Sequence, residues 1–219
     1  MRGLFDKQIE EVFEIKENGT KEEMLSLLKP YLDDPEKNIT YDDIPDEFVE
    51  ELDPERYKET FLEYELSFII DWNDKFSMID SWEYLNSSTM EKLGITPEEA
   101  KRSAIQNMEH GPRLDFSKIK SDDYGTDVYI IKTNRKFDLH PSFVCSVLTL
   151  KDYWKDVVCK EVGESFLVLP IFREAVFVIP DTMLEHISKI SQKIRADYEK
   201  KRYEAFSDRI YKYVKGSMI

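Results

Sequence analysis

The stretch LVLPIFREAVFVIP, residues 167–180, contains two apolar runs separated by the charged pair Arg173-Glu174. β-Branched and aromatic side chains dominate both runs, which predicts strands at residues 166–171 and 175–179. Because the runs are apolar at successive positions rather than at alternate ones, we expect both faces of this hairpin to be covered.

The Arg173-Glu174 pair is predicted to form the turn of this hairpin, with both side chains exposed. A functional alternative stays open, because the planar guanidinium of Arg173 can present paired donors to a carboxylate or a phosphate. Such a site would need further polar groups, for which Asn107, His110 and Arg113 are candidates. The simpler interpretation of these three residues is capping and dipole complementation at the end of a predicted helix.

Further strands are predicted before the hairpin. Residues 127–132 and 143–150 have strand composition, and so do residues 66–71, which could return over residues 76–79. The alternative for residues 66–71 and 76–79 is a helix. Short connections between consecutive strands favour an antiparallel meander over βαβ units. Pro170 lacks a backbone N–H, so its strand should lie at an edge or bulge there.

Helices are predicted towards the N-terminus. The first spans residues 4–16, and these apolar side chains fall on one face: Phe5, Ile9, Val12 and Phe13. A second helix begins at Thr20, where TKEE is a capping box, and ends near Pro30. Two more are predicted at residues 88–93 and from Thr96-Pro97 onwards, stopped by Gly94 and by Gly111-Pro112 respectively.

The C-terminal region is predicted to be helical as well. After Pro180-Asp181, apolar residues recur at helical spacing: Met183, Ile187, Ile190 and Ile194. The stripe slips over residues 195–201 and resumes with Phe206, Ile210 and Val214, which predicts two helices or one kinked helix. The fold class is therefore α+β: an antiparallel β-meander packed against helices, with a helical N-terminal segment and C-terminal helices. We expect an acidic helical segment at residues 1–60 and an α+β core domain at residues 61–219, which could pack as one unit.

Composition limits the function classes. The chain has 219 residues, 41% of them hydrophobic, and 31 basic against 45 acidic residues give a net charge of −14. This charge opposes binding to nucleic acid or to an anionic membrane and suits a basic protein partner. The first residues are acidic and amphipathic without a small-residue cleavage site, so we expect no signal peptide and a cytoplasmic protein. No apolar run approaches the roughly 20 residues that span a bilayer.

The acidic residues concentrate near the N-terminus. Residues 1–60 contain eight basic and nineteen acidic residues, and residues 32–55 are interrupted by Pro35, Pro45 and Pro54. A solvated loop is the simpler interpretation of this stretch. The functional interpretation is an acidic docking surface formed by Asp42, Asp43, Asp46 and Glu47.

Motifs for cofactors and catalysis are absent. The sequence lacks GxGxxG, GxxxxGK[ST], HExxH and GxSxG, and its three histidines are scattered. We therefore expect no cofactor and no metal site. The two cysteines, Cys145 and Cys159, lie among apolar residues and are predicted to be buried, reduced thiols.

Four segments occur in an order that resembles a known family. They are LGITPEEAKRSAIQNM (residues 93–108), FVCSVLTL (143–150), LPIFREAVFVI (169–179) and AFSDRIYKY (205–213). Together they resemble the YtpQ-like family of bacterial proteins, whose function is unknown. The resemblance covers roughly residues 66–213 and implies a cytoplasmic α+β protein, with no activity attached.

The chain departs from that family at the hairpin. The family places Arg-Asp close after proline, whereas Ile171 and Phe172 intervene here and the acid is Glu174. This difference weakens any shared site at the turn, and the N-terminal third is not clearly matched.

Two functional hypotheses follow. The first is a non-catalytic, acidic protein-binding module of adaptor or immunity-like type that captures a basic protein. The alternative is a small-molecule hydrolase of unrecognised type with a site around Arg173.

Overall fold

The computed structural model of the chain describes residues 2–35, 56–72, 82–109, 113–119, 124–134, 139–200 and 203–219. The chain divides into two units, residues 1–110 and residues 111–219. Each unit combines an antiparallel sheet with helices, which confirms the predicted α+β fold class. The expected boundary near residue 60 falls inside the first unit, whose sheet takes strands from both sides of that position.

Two helices begin the first unit, α1 at Arg2–Asn18 and α2 at Lys21–Leu27. The predicted capping box is formed between them. The Thr20 hydroxyl accepts the Glu23 N–H at 3.2 Å, and the Glu23 carboxylate accepts the Thr20 N–H at 3.0 Å. These two bonds satisfy amides that the first turn of a helix leaves without partners.

The predicted apolar face of α1 is wrong in one respect. Phe13 is 60% exposed, whereas Ile15 is buried and Val12 is only half-buried. The side chains of Phe5 and Ile9 lie outside the described residues. The inward side of α1 is therefore centred on Ile15, and Phe13 faces solvent.

Two further helices complete the helical part of the first unit, α3 at Ser87–Leu93 and α4 at Pro97–Glu109. Gly94 ends α3 with φ +62°, a left-handed conformation that glycine adopts without steric cost. A second capping box begins α4, since Glu99 accepts the Thr96 N–H at 2.9 Å and Thr96 accepts the Glu99 N–H at 3.3 Å. Both helix positions confirm the sequence predictions.

The sheet of the first unit has four described strands: β1 Leu28–Asp33, β2 Lys58–Phe61, β3 Tyr64–Asp71 and β4 Trp82–Tyr84. β3 pairs antiparallel with β1 along one edge. Along its other edge β3 pairs antiparallel with β2, through residues 64–67, and then with β4, through residues 69–71. The strand predicted at residues 66–71 is confirmed, and its proposed return at 76–79 lies outside the described residues. β1 was not predicted: α2 ends at Leu27, and residues assigned to a helix end and an acidic loop form a buried strand.

The two faces of this sheet differ in chemistry. The register pairs Leu28 with Ile70 and Leu32 with Leu66, so these residues share one apolar face. Helices α2 and α4 pack against β1 and β3. Their buried residues are Met24, Leu27, Ala100, Ala104 and Met108. The opposite face is polar and is described with the candidate site.

The second unit is built on a six-stranded antiparallel sheet of order β10-β9-β7-β8-β6-β5. Its strands are β5 Leu114–Lys118, β6 Tyr129–Thr133, β7 Ser165–Phe172, β8 Ala175–Pro180, β9 Tyr211–Val214 and β10 Ser217–Met218. Predicted strands at 127–132, 166–171 and 175–179 are confirmed as β6, β7 and β8. Pro170 lies where the β7–β8 register shifts, between Leu169 and Phe172, which confirms the predicted bulge.

The strand predicted at residues 143–150 is wrong. This stretch belongs to a 3₁₀ helix, Pro141–Thr149, whose residues from Phe143 onwards are all buried. A helix labelled α5 follows over residues 151–162, with a π-helical turn at Trp154–Val158. A short run that is apolar at six of its eight positions, with only Ser146 and Thr149 polar, fits a buried strand and a buried helical segment equally well. Periodicity therefore could not separate the two.

The C-terminal prediction is confirmed in its first half only. A 3₁₀ turn, Asp181–His186, leads into α6 at Ile187–Glu199, which buries Ile190 and Ile194 against the sheet core. The helix predicted through Phe206, Ile210 and Val214 is wrong, because residues 211–214 form β9. The alternating burial within YKYV is a strand period that the longer helical spacing concealed.

Candidate functional site

The Arg173-Glu174 pair forms the turn between β7 and β8, as predicted. The predicted exposure of the two side chains is wrong, since both residues are half-buried. The Arg173 side chain is only 14% exposed, and its Nε donates to Glu204 at 2.9 Å. The Arg173 N–H donates to the Glu204 carbonyl at 2.9 Å, and the Glu174 carboxylate accepts the Glu204 N–H at 3.0 Å. The Arg173 guanidinium also lies 5.5 Å from the centroid of the Phe206 ring. Both charged residues therefore fix the segment around residue 204 beside the hairpin.

Asn107 has a structural task in the first unit. Its amide donates to the Leu25 carbonyl at 2.8 Å and to the Leu28 carbonyl at 3.0 Å. These bonds close the junction where α2 ends and β1 begins. Of its predicted companions, His110 lies outside the described residues. Arg113 belongs to the second unit, where its carbonyl accepts the Asn134 N–H at 2.8 Å beside the β5–β6 pair.

The predicted acidic docking residues, Asp42, Asp43, Asp46 and Glu47, lie outside the described residues. A different acidic surface is described on α1 and α2. Six exposed carboxylates form it, and we call it the acidic ridge: Glu10, Glu11, Glu14, Glu17, Glu22 and Glu23. Two neighbouring lysines are directed elsewhere, Lys16 to Glu83 at 2.5 Å and Lys21 to Glu99 at 2.8 Å. Lys7 is also exposed on α1, so the six carboxylates outnumber the neighbouring lysines and leave a net negative surface around the exposed Phe13.

A buried polar face on the first sheet was missed by sequence reasoning. The register pairs Lys29 with Ile69, Tyr31 with Ser67 and Asp33 with Glu65, which places these residues and Asp71 on one face. Within this polar face the exposed fraction is 0% for Lys29, 2% for Ser67 and Asp71, and 6% for Asp33. Buried charges are costly and occur disproportionately at functional sites. The alternation Lys29, Tyr31, Asp33 was the available signal, but it lay in a stretch assigned to a helix end and a loop.

Arg56 and three aromatic rings border the polar face. Arg56 forms ion pairs with Glu65 and, at 3.9 Å, with Asp33, and its guanidinium lies 4.6 Å from the centroid of the Tyr84 ring. The Tyr31 and Trp82 rings stack with centroids 5.5 Å apart, and Trp82 meets Tyr84 edge-on at 5.4 Å. The three rings therefore pack on one another beside the polar face.

The second unit has an open groove of about 460 Å³ between α5 and the β9–β10 turn. Its lining combines charged side chains with a thiol: Lys151, Asp152, Lys155, Cys159, Glu164, Tyr213, Lys215 and Gly216. Burial, and then a hydrogen bond with Cys159, raises the pKa of Tyr213 to about 12. Cys159 is only half-buried, so the prediction of two buried thiols is correct for Cys145 alone. Burial raises the pKa of Cys145 well above its ordinary value, and its thiol donates to the Phe172 carbonyl at 3.2 Å.

The two units carry opposite net charge. Residues 1–110 contain 12 basic and 29 acidic residues, a balance of −17, whereas residues 111–219 contain 19 basic and 16 acidic residues, a balance of +3. The net negative charge of the chain therefore comes entirely from the first unit, since the second unit has a small net positive charge.

Comparison with models of known protein families, with curated proteins and with solved structures gives no match. Within the described ranges, no helix is both long and apolar enough to cross a membrane. The same part of the chain has no group of three or more His, Cys, Asp or Glu residues that could hold a metal ion.

Proposed function

We propose that the chain is a non-catalytic protein-binding module whose acidic first unit captures a basic protein. The observation that carries the proposal is the charge separation, −17 in the first unit against +3 in the second. A field of one sign over one unit steers an oppositely charged partner and raises its association rate by about 10- to 1,000-fold. The acidic ridge supplies six exposed carboxylates to this field, although that of Glu23 is also engaged in the capping box of α2.

The proposal also includes the location, the type of protein and the family that were predicted from the sequence. We place the module in the cytoplasm, as an adaptor or an immunity-like protein, and we keep membership of the YtpQ-like family as a proposal that adds no activity. The negative charge of the first unit opposes binding to nucleic acid and to anionic membranes, so we do not propose either as a partner. We do not extend the proposal to a hydrolase around Arg173, because the contacts of Arg173 are those of a residue that fixes a turn.

The test compares two variants with equal changes in charge. The first reverses four carboxylates of the acidic ridge, E10K, E11K, E14K and E17K. The matched control reverses four exposed carboxylates of the second unit, D152K, D156K, E161K and E164K. Each tagged protein is purified from its native host at low and at moderate salt, and co-purifying proteins are quantified by mass spectrometry.

We expect a stoichiometric basic protein with the wild-type chain and with the control variant. This protein should be absent from the ridge variant, and its recovery should fall as salt screens the surface charges. Equal recovery with the ridge variant would contradict the role of this surface, and an acidic or salt-insensitive partner would contradict the electrostatic proposal as a whole.

A further inference from the structure

The exposed aromatic residue of the acidic ridge indicates how a partner would dock. Phe13 is 60% exposed on α1, whereas the other described phenylalanines of the first unit are more enclosed; Phe68, for example, is fully buried. Large apolar side chains contribute most to binding at the desolvated centre of an interface, and polar residues typically form the rim around that centre. Phe13 has such surroundings, with exposed carboxylates on both sides along the helix.

The helical spacing defines the surface. Glu10, Phe13, Glu14 and Glu17 occupy positions i, i+3, i+4 and i+7, so they fall on one face of α1. Ile15, the buried residue of this turn, lies about 200° around the helix from Phe13, given about 100° per residue. This face therefore points away from the interior of the unit.

We infer that this face of α1 docks a basic amphipathic helix, with Phe13 as the apolar contact and the glutamates as ion-pair partners. The inference rests on the proposed function and names the partner's chemistry. Charge complementarity selects a segment rich in Lys and Arg. An exposed helix face offers side chains rather than unpaired backbone groups, which favours packing of a second helix over addition of a strand.

The experiment measures binding of fluorescent peptides to the full chain by anisotropy. The first probe is a Lys–Leu peptide of about 18 residues, long enough for a helix, whose leucines follow the i, i+3, i+4 pattern. The second has the same composition with its leucines distributed around the helix, and the third is oligolysine. The variants are Phe13→Ser, the ridge charge reversal, and Leu184→Ser, which alters a residue of the second unit that is 56% exposed. Circular dichroism confirms that each variant keeps its helical content.

We expect the wild-type chain and Leu184→Ser to bind the patterned peptide about 10- to 100-fold more tightly than the scrambled peptide, the range that burial of a phenylalanine supplies. Phe13→Ser should remove this preference while leaving oligolysine binding unchanged. Equal binding of both Lys–Leu peptides, with all binding lost on charge reversal, would overturn the amphipathic helix and leave the proposed function standing. If the cationic peptides bind the charge-reversal variant as tightly as the wild-type chain, or if they bind neither protein, both the inference and the proposed function would be overturned.

Discussion

The β7–β8 hairpin of the second unit and the β1–β3 pair of the first unit are both buried, but they are buried for different reasons. Along β7 and β8 the apolar side chains occupy both faces, and residues such as Val168 and Phe177 are fully enclosed. Along β1 and β3 one face is apolar, whereas the other encloses Lys29 and Asp71. Removal of apolar surface from water stabilises the hairpin by about 25 cal/mol per Å². The polar face must instead offset the desolvation of its charges with specific partners.

This difference predicts how each pair responds to substitution. An apolar core loses stability in proportion to the volume removed from it. A buried charged group responds asymmetrically, because removing one partner leaves the other charge desolvated, whereas an apolar replacement of similar shape costs much less.

The largest effect is expected in the hairpin, for Phe177→Ala. The Phe177 ring is fully buried and meets the Tyr198 ring edge-on at 4.9 Å. We expect the free energy of unfolding of the second unit to fall by about 3–5 kcal/mol. Hydrogen exchange of peptides from β7 and β8 in increasing urea measures this change. The control is Leu184→Ala in the same unit, at a residue that is 56% exposed, with a change below about 0.5 kcal/mol. Similar values for the two variants would contradict the role of burial in the hairpin.

An intermediate effect is expected on the polar face, for Lys29→Ala. Lys29 is fully buried, whereas Lys58 on β2 has a side chain that is 57% exposed. We expect Lys29→Ala to destabilise the first unit by about 3 kcal/mol and Lys29→Met by clearly less, since methionine keeps the volume without the charge. Lys58→Ala should change the stability by under about 1 kcal/mol. Urea unfolding monitored by exchange in β1 and β3 provides the values, and a Lys29→Met variant as damaged as Lys29→Ala would show that the charge itself stabilises this face.

The smallest effect concerns acid sensitivity of the first unit. The hydrogen bond from Lys21, with those from Thr96, lowers the pKa of Glu99 from 4.5 to about 2. Because the folded-state pKa lies below the unfolded one, the stabilisation is present above about pH 4.5 and is lost as pH falls towards 2. We expect Glu99→Gln to weaken the pH dependence of unfolding between these values. Melting temperatures measured through this range test it, and identical slopes for both proteins would contradict the role of Glu99.

The parts of the fold that sequence predicted correctly have local causes. The capping box at Thr20, the helix start at Thr96-Pro97, the helix stop at Gly94 and the bulge at Pro170 each depend on a few neighbouring residues. The turn at Arg173-Glu174 also has a local cause, since this pair is the charged interruption between two apolar runs that pair as strands.

The incorrect predictions share a different cause. Residues 143–150 are apolar except at Ser146 and Thr149, and this pattern does not distinguish a helix from a strand. β1 contains a lysine, a proline and an aspartate, and only its pairing with β3 makes it a strand.

The candidate site was predicted less well than the fold. Asn107 and Arg173 were chosen for their chemistry, but their hydrogen bonds hold a helix–strand junction and a hairpin turn. Phe13 was predicted to lie on the apolar face of α1, a pattern that is typical of a buried face, but its side chain is exposed. The acidic character of the first unit was visible in the sequence, and the fold decided which carboxylates reach solvent.

By itself, the sequence of this protein determined the α+β class, the helix boundaries set by caps, the central hairpin and the concentration of negative charge near the N-terminus. Only the tertiary structure decided that β1 joins β3, that Lys29 and Asp71 are enclosed, and that Phe13 is not. The physical reason is the separation along the sequence of the residues that interact. Caps, turns and net charge depend on residues close in sequence, whereas the burial of a side chain depends on what distant segments pack against it.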